Sequence, residues 1–403
     1  MPDARGQTDT RQGREAASCG VCGSYRLETF LSRRGVPALQ NLLAPSERRA
    51  TEVPRGDLRM VACEDCGYVS NRAFDPSKVA YGEDYENAQT CSPAFRAHFD
   101  DTVAWLVEER GVRARAVVEV GCGDGSFLRQ LVCAQDGGNV GHGYDPSYIG
   151  PLVDLGGRVR FEQRYYDPSA TDVRADVVVC RHVIEHIDDP VAFLKLLRRP
   201  LAGSSDGRVF LETPCVEWIL THRVIWDFFY EHCSLFTRES LGTALEVAGF
   251  EVASVRHVFD GQYLLAEARI SDEHGAGGVG ASSIGAQARE FAASEKIITE
   301  RWQSMIRKLA STGKVALWGT GAKGVTLANL VDPAREWIDC VIDINPKKQG
   351  CYVAGAGHPI VDFREIRRRN VTAVVLMNPN YRAEIQAALN RAGLQVEIVE
   401  AAS

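Results

Sequence analysis

Apolar runs of strand length alternate with amphipathic stretches of helical length through the middle of the chain. This alternation predicts helices that separate six strands, near residues 116–120, 140–144, 175–180, 208–212, 251–257 and 263–267. Strands that are apolar throughout and separated by helices are typical of a parallel sheet covered on both faces. The pattern therefore predicts a doubly wound α/β domain over residues 86–270.

A second alternation of the same kind begins after Gly313. It predicts a helix that follows a glycine turn, and strands at 314–319, 340–345 and 372–378. A Gly/Ser-rich stretch at 271–285 and an amphipathic helix at 286–310 precede it, so residues 271–310 are interpreted as a linker and helix. Residues 311–403 are predicted to form a Rossmann-like domain.

The N-terminal part has a different character. Residues 1–17 are polar and without periodicity, which predicts a disordered leader, and residues 18–85 have too little apolar content for a large core. Two CxxC pairs could cross-link this segment in place of a large core: Cys19 and Cys22, and Cys63 and Cys66. Four thiolates satisfy a tetrahedral ion, so a structural zinc domain over 18–85 is predicted, with a redox CxxC or two disulfides as alternatives.

Composition restricts the partners. The 403 residues carry a net charge of −7, with 45% hydrophobic and 25% charged residues, which is ordinary for a soluble globular protein. The negative charge disfavours a nucleic-acid or anionic membrane surface and favours small-molecule partners. There is no run of 18 apolar residues and no apolar region near the first residue, so a cytoplasmic location is expected, as a monomer or weak homo-oligomer.

The segment 117–125, Val-Val-Glu-Val-Gly-Cys-Gly-Asp-Gly, is the most informative motif. Glu119 closes a predicted buried strand, and Gly121, Gly123 and Gly125 follow at a spacing of two rather than the GxGxxG of dinucleotide sites. The next predicted strand ends in Asp145, where a carboxylate can bind both ribose hydroxyls of a nucleoside. This motif resembles that of class I S-adenosylmethionine methyltransferases.

Residues 226–237 are expected in a loop over the carboxyl ends of the strands, where ligands bind in such sheets. Within them, Glu231 and His232 are a candidate acid–base pair, because imidazole titrates near neutral pH and a neighbouring carboxylate can fix its tautomer. Neighbours of this kind are more often structural or solvated than catalytic, so the context decides.

The context is a family resemblance. The order CxxC, CxxC, a Tyr-rich segment, GCGDG, HVIEHI at 182–187, YEHCSLFT and GTGAKG, with Asp343-Ile-Asn-Pro346-Lys-Lys-Gln-Gly350 downstream, resembles the sugar C-methyltransferases. These enzymes act on nucleotide-linked deoxy-4-ketosugars in antibiotic biosynthesis, and they combine a zinc-binding domain, a methyltransferase core and a C-terminal domain. The resemblance covers about residues 18–400 and implies S-adenosylmethionine and zinc as cofactors.

The resemblance also implies roles for individual residues. His232 would remove the C3 proton that the adjacent ketone acidifies, Glu231 would orient His232 or hold a substrate hydroxyl, and Tyr81 and Tyr85 would stabilise the enolate. His182 is interpreted as lining the cofactor site. Tyr230, Gly321, Lys323 and Lys347 are candidate substrate-binding residues. The glycine turn could hold a diphosphate, or the C-terminal unit could serve only as a scaffold.

Several alternatives stay open at this stage. The acceptor could be an oxygen or nitrogen of a related sugar or small molecule, with His232 deprotonating a hydroxyl. Asp343 ends the second strand of the C-terminal unit as a ribose-binding acid would, so NAD binding there is a further alternative. This chain has Phe229 where the family has another tyrosine, which leaves the identity of the sugar open.

Overall fold

The computed structural model describes residues 18–87, 91–134, 138–271 and 282–400. The predicted leader at 1–17 and residues 272–281 of the predicted linker lie outside the described residues. We refer below to residues 18–87 as the N-terminal unit, 91–271 as the core unit, and 314–400 as the C-terminal unit. No helix among the described residues is both long and apolar enough to cross a bilayer.

The regular elements follow in chain order. The strands are β1 Leu27–Pro37, β2 Arg55–Cys63, β3 Val69–Asn71, β4 Ala116–Val120, β5 Val140–Tyr144, β6 Val153–Asp154, β7 Val159–Glu162, β8 Val177–Arg181, β9 Arg208–Pro214, β10 Ser234–Leu235, β11 Phe250–Val258, β12 Tyr263–Ile270, β13 Lys314–Trp318, β14 Ile338–Ile342, β15 Ile360–Val361, β16 Val371–Leu376 and β17 Glu397–Glu400. The α-helices are α1 Glu47–Thr51, α2 Pro93–Ala104, α3 Ser126–Cys133, α4 Pro190–Arg198, α5 Val216–Thr221, α6 Arg238–Val247, α7 Ile284–Thr312, α8 Ala322–Val331, α9 Glu365–Arg369 and α10 Arg382–Arg391. Shorter helical turns are Trp105–Glu109, Pro76–Lys78, Leu155–Gly157, Ile184–His186, Ile225–Asp227 and Pro379–Tyr381.

The core unit is built on an eight-stranded sheet in the order β11-β12-β9-β8-β4-β5-β7-β6. Strand β4 pairs in parallel with β5 on one side and β8 on the other, whereas β12 runs antiparallel to β9 and β11. The predicted doubly wound sheet is confirmed. Because the chain moves from β4 in opposite directions, a crevice forms over the carboxyl ends of β4, β5 and β8, where ligands bind in such sheets.

The C-terminal unit is a five-stranded sheet in the order β15-β14-β13-β16-β17, in which each adjacent pair is parallel. Its strand β13 is followed by the predicted glycine turn and by helix α8, so a second Rossmann-like unit is present, as predicted. The amphipathic helix predicted at 286–310 is α7, which packs its buried face on the N-terminal unit and on β13.

The three units share apolar core. One cluster of buried side chains runs without interruption from the N-terminal sheet through the loop after α5 and helix α7 to the C-terminal sheet, and includes Phe30, Leu58, Phe228, Phe291 and Leu317. The N-terminal sheet also takes strand β10 of the core unit as its fourth strand. Burial that crosses all three units fixes the walls of the cavities between them.

Candidate active site

The first cavity, which we call the β4–β5 cavity, opens at the carboxyl ends of β4 and β5. It measures about 590 Å³ and is lined by Glu119, Gly121, Gly123 and Asp145. Gly121 adopts a φ of 78°, and a Cβ built there would lie 2.1 Å from Cγ2 of Val183, so no other residue fits this turn. The structure brings the predicted cofactor residues together.

Gly125 has a different place. It does not line the β4–β5 cavity but forms the N-cap of helix α3, with a φ of 75°. A Cβ there would meet the ring of Phe161 at 2.6 Å. The prediction that Gly125 contacts the cofactor is corrected. This third glycine lets helix α3 start close to β7, and so helps to position the turn of Gly121 and Gly123.

Glu119 is a buried carboxyl group at the floor of the β4–β5 cavity. Burial raises its pKa to about 8, and its Oε2 has no hydrogen-bond partner among the described residues. A buried acid without a partner is costly to the folded protein unless a ligand supplies one. Asp145, by contrast, accepts hydrogen bonds from the amides of Gly123 and Ser147, each at 2.8 Å, and so clamps the glycine turn to the end of β5.

The second cavity, which we call the inter-unit cavity, lies between the core unit and the C-terminal unit. It measures about 220 Å³. The core unit contributes His182, His186, Glu231 and His232, and the C-terminal unit contributes Gly321, Lys323, Asp343 and Lys348. Tyr85, Asn87, His182 and His186 line both cavities, so the two cavities adjoin along one wall.

His232 is placed as a base would be. It lines the inter-unit cavity, its Nδ1 is buried without a hydrogen-bond partner among the described residues, and its ring lies 4.8 Å from that of His186, measured between centroids. Burial holds the pKa of His232 well below its ordinary value. The imidazole is therefore neutral near pH 7 and can accept a proton from a ligand in the cavity.

Glu231 does not pair with its neighbour in sequence. Its Oε1 accepts the amide of Gln40 at 2.8 Å, its Oε2 accepts the hydroxyl of Tyr85 at 2.8 Å, and Nδ1 of His186 lies 3.8 Å from Oε2. Burial raises the pKa of Glu231. The predicted role of orienting His232 is therefore corrected, because this carboxyl group joins the N-terminal unit to His186.

The N-terminal unit contributes Tyr81 and Tyr85 to the site. The hydroxyl of Tyr81 lies 2.7 Å from Nδ1 of His186, and the two tyrosine rings meet edge to face at 4.9 Å. Burial raises the pKa of both phenols well above the ordinary value, so both hydroxyls stay protonated and can donate hydrogen bonds. The two hydroxyls contact His186 and Glu231, and their role in stabilising an enolate stays a prediction.

Two predicted substrate-binding residues lie elsewhere. Tyr230 is fully buried against Gly56 and Phe74, its hydroxyl accepts the amide of Asp75 at 2.8 Å, and it lines neither cavity. Lys347 lines the β4–β5 cavity and pairs with Glu86 at 2.8 Å rather than facing the inter-unit cavity. The prediction of substrate contact is corrected for both, since side chains adjacent in sequence point to different sides of a chain.

Lys323 and Gly321 line the inter-unit cavity, and their contact with substrate stays a prediction. The ammonium of Lys323, however, lies 2.7 Å from the carboxylate of Asp227 and 3.3 Å from Oε1 of Gln262. Its charge is therefore already compensated. Asp343 accepts the amides of Thr320 and Asn345, each at 2.8 Å, and also the Thr320 hydroxyl, so it holds the second glycine turn in shape.

Neither His186 nor Lys348 was predicted from the sequence as a site residue. His186 lines both cavities and joins Tyr81 to Glu231. Lys348 is buried in the wall of the inter-unit cavity. The available signals were the second histidine of HVIEHI and the doubled lysine of Asn-Pro-Lys-Lys, but nothing local to either says which side chain turns inward.

The four cysteines of the N-terminal unit converge. Their sulfur atoms all lie within 4.8 Å of one another, with Cys19 to Cys66 and Cys22 to Cys63 at 3.6 Å. Sulfur atoms around a tetrahedral zinc with Zn–S bonds of about 2.3 Å lie roughly 3.8 Å apart, so the spacing fits such an ion. The distances are too long for disulfides, whose S–S bond is about 2.05 Å.

Comparison with known proteins agrees with this architecture. Residues 94–255 match a family described as methyltransferase domain, and residues 281–395 match a family described as C-methyltransferase C-terminal domain. The order of the core sheet, with the antiparallel strand β12 inserted between β9 and β11, is the class I methyltransferase fold. Residues 94–255 therefore form a class I methyltransferase domain, and residues 281–395 are similar to the C-terminal domain of C-methyltransferases.

Curated relatives match only part of this chain. The ubiquinone biosynthesis O-methyltransferase of Pseudomonas aeruginosa strain UCBPP-PA14 is 30% identical over 118 residues, which cover 28% of this chain and 49% of the relative. The tRNA U34 carboxymethyltransferase of Campylobacter lari is 29% identical over 113 residues, covering 26% and 38%. The chain thus spans about half the length, or less, of the curated relatives it matches.

Solved structures give distant matches. The Burkholderia thailandensis 1,6-didemethyltoxoflavin-N1-methyltransferase is 19% identical with a TM-score of 0.34, covering 44% of this chain and 79% of that chain. The magnesium protoporphyrin IX methyltransferase of Synechocystis PCC 6803 is 20% identical with a TM-score of 0.35, covering 44% and 84%. With scores this low, the fold assignment stands on the strand order of the sheet itself.

Proposed function

We propose that this protein is an S-adenosylmethionine-dependent C-methyltransferase that acts on C3 of a nucleotide-linked deoxy-4-ketosugar. The observation that carries the proposal is the position of a neutral imidazole, that of the half-buried His232, in the inter-unit cavity, which adjoins the β4–β5 cavity. A base in one cavity beside a donor site in the next is the arrangement that deprotonation coupled to methyl transfer requires.

The β4–β5 cavity has the residues to hold the donor. Asp145 would bind the ribose hydroxyls, and the turn of Gly121 and Gly123 lets the backbone approach the ligand closely. The unpartnered Oε2 of Glu119 is the group that a hydrogen-bond donor of the cofactor would satisfy. S-adenosylmethionine bound there would supply an electrophilic methyl group.

The residues proposed to act on the acceptor lie at or beside the wall that the two cavities share. His232 would take the proton from C3, whose acidity comes from the C4 ketone, and leave the electron pair delocalised onto the ketone oxygen. The neutral phenol of Tyr81 would donate to this developing negative charge, with its oxygen accepting from a protonated Nδ1 of His186. Tyr85 donates its single proton to Glu231 and would have to leave that partner to act on the substrate. His186 lies between Tyr81 and Glu231 and would keep the phenol of Tyr81 in place.

The test is hydrogen exchange at C3 in deuterium oxide. With a nucleotide-linked 4-ketosugar and no S-adenosylmethionine, the wild-type protein should exchange the C3 hydrogen, followed by NMR. His232→Asn should slow both exchange and methyl transfer by about 10²–10⁴-fold, the usual contribution of a general base. His257→Asn, at an exposed histidine of β11, is the matched control and should change neither rate.

Three outcomes would overturn the proposal. Methylation of the sugar without exchange at C3 would indicate a hydroxyl or amine acceptor. Undiminished exchange in the His232→Asn variant would remove His232 as the base. Tight binding of NAD without binding of S-adenosylhomocysteine, measured by calorimetry, would assign the protein to nicotinamide chemistry instead.

We also propose that the four cysteines hold one structural zinc ion. The convergence and spacing of Cys19, Cys22, Cys63 and Cys66 support this assignment, as does their position at the turns that join β1 and β2 to the rest of the unit. Metal analysis should find one zinc per chain, and Cys63→Ser should lower both zinc content and melting temperature. Cys133→Ser, at an exposed cysteine of α3, is the control. Full zinc content in the Cys63→Ser variant would contradict the assignment.

A further inference from the structure

Lys348 is a buried cation in the wall of the inter-unit cavity. Only 6% of its surface is exposed, and its ammonium donates to two neutral acceptors, Oδ1 of Asn41 at 3.2 Å and the carbonyl oxygen of Thr320 at 3.1 Å. It makes no ion pair with any residue that the structure describes. Burial lowers its pKa, and the carboxylates of Asp343, Glu86 and Glu231 offset this effect only in part.

The carboxylates of the same cavity are each occupied by other donors. Asp227 pairs with Lys323, Asp343 accepts the Thr320 and Asn345 amides, and Glu231 accepts the Gln40 amide and the Tyr85 hydroxyl. Of the remaining two, Glu384 accepts the Ser92 hydroxyl and the Ala94 amide. Glu185 accepts the hydroxyl of Thr213 with Oε2, while its Oε1 lies 3.4 Å from Nδ1 of His182 and has no hydrogen-bond partner among the described residues. None of these five carboxylates lies within ion-pair distance of the Lys348 ammonium.

The same ammonium sits at the start of a helix. Thr320, whose carbonyl it contacts, belongs to the glycine turn that leads into α8, a helix of 10 residues. The N-cap of α8 is Gly321, which offers no side chain to cap the first amides, and residues 321–324 line the inter-unit cavity. Unsatisfied amides at a helix start, together with a buried ammonium beside them, attract an anion with several oxygen atoms.

We propose that Lys348 and the start of helix α8 bind the diphosphate of the nucleotide-linked substrate, and that Lys323 does not carry this interaction. The inference rests on the proposed function, because it assigns the nucleotide end of that same substrate. It also places the sugar at the other end of the inter-unit cavity, toward His232 and the wall shared with the β4–β5 cavity.

The experiment compares two adjacent lysines. Binding of uridine diphosphate, thymidine diphosphate and inorganic pyrophosphate is measured by calorimetry for wild type, Lys348→Gln and Lys347→Gln. Lys347→Gln removes the same charge one residue away, where the side chain pairs with Glu86. We expect Lys348→Gln to weaken binding of all three ligands by about 10–100-fold, as for a charge-assisted hydrogen bond, and Lys347→Gln to leave it within about twofold.

Binding of S-adenosylhomocysteine by each variant separates this inference from the proposed function. If wild type binds S-adenosylhomocysteine but no diphosphate, or if Lys348→Gln binds diphosphate as tightly as wild type, the assignment of Lys348 is overturned while the donor site stands. An equal loss in both lysine variants also overturns it. Lys348→Met, which fills the same space without polar atoms, repeats the test if the glutamine variant does not fold. An NAD titration identifies the source of the diphosphate, and tighter binding of NAD than of nucleoside diphosphates would overturn the substrate assignment.

Discussion

The core unit and the C-terminal unit each present a glycine turn at the end of a central parallel strand, but different side chains lie behind the two turns. Behind the first, at the penultimate position of β4, is Glu119, a buried acid with an unpartnered oxygen. At the matching position of β13 is Leu317, buried among other apolar side chains. The first turn closes a cavity of about 590 Å³ that the N-terminal unit also lines, whereas the second faces a smaller cavity of about 220 Å³ between the C-terminal unit and the core unit.

The comparison shows that a glycine turn marks an approach to ligand but does not say which ligand. Asp145 and Asp343 each hold their own turn by accepting amide hydrogen bonds, so the acid after the second strand is common to both units. What differs is the group beside the turn: a buried acid, kept protonated at neutral pH, at the first and a buried lysine, Lys348, at the second. The acid offers hydrogen bonds to a nucleoside, and the lysine matches the diphosphate proposed for the second turn.

The contrast between the two turns would fail most directly if the second turn tolerated a buried glutamate at the position that matches Glu119. Leu317→Glu places a carboxyl group in a fully buried site without a cationic partner, so we expect the free energy of unfolding to fall by about 3–5 kcal/mol. Urea denaturation measures the change, with Leu317→Met as the volume-matched control. A Leu317→Glu variant as stable as wild type would mean that the buried Glu119 is no sign of a ligand site.

The pH dependence of stability tests Glu119 itself. Its pKa is raised from 4.5 to about 8 in the folded protein, so the folded state keeps a proton that the unfolded state loses above pH 4.5. Stability contributed at this position therefore falls as pH rises from about 4.5 to about 8. Glu119→Gln should leave stability unchanged below pH 4.5 and raise it by on the order of 3 kcal/mol at pH 7, measured by denaturation across pH.

The matched control for that experiment is Glu290→Gln, at an exposed position of α7, whose stability should follow wild type at all pH values. Glu119→Gln should also weaken S-adenosylhomocysteine binding, so stability and affinity should change in opposite directions. If the variant neither gains stability with pH nor loses affinity, Glu119 is an ordinary core residue.

The two aspartates give the next contrast. Asp145→Ala should weaken binding of S-adenosylhomocysteine by about 30-fold, about 2 kcal/mol, because it removes a charged acceptor of the ribose hydroxyls. Asp343→Ala, which removes the matching acid of the other unit, should leave this affinity unchanged. Calorimetry with both variants decides the point, and equal losses would mean that the two turns act on one cofactor.

Elements could be predicted from the sequence more completely than the site. Strand β4 lies where the apolar run predicts it, and α7 extends the predicted helix by two residues at each end, because short-range periodicity fixes such elements. Glu231 was matched to the wrong partner because its contacts, Gln40 and Tyr85, are 191 and 146 residues away along the chain. Tertiary contacts of that separation leave no trace in local spacing, and the same limit explains the misplacement of Tyr230 and Lys347.

The smallest expected effect concerns the ion pair of the second turn. Lys323→Gln combined with Asp227→Asn removes both charges and leaves the net charge of the inter-unit cavity unchanged. Because the two side chains already neutralise each other at 2.7 Å, we expect nucleoside diphosphate affinity to change by less than about threefold, under 1 kcal/mol. A loss comparable to that of Lys348→Gln would mean that Lys323 leaves Asp227 to bind the diphosphate, as the GAKG pattern alone suggests, and that the buried Lys348 supports the turn rather than the ligand.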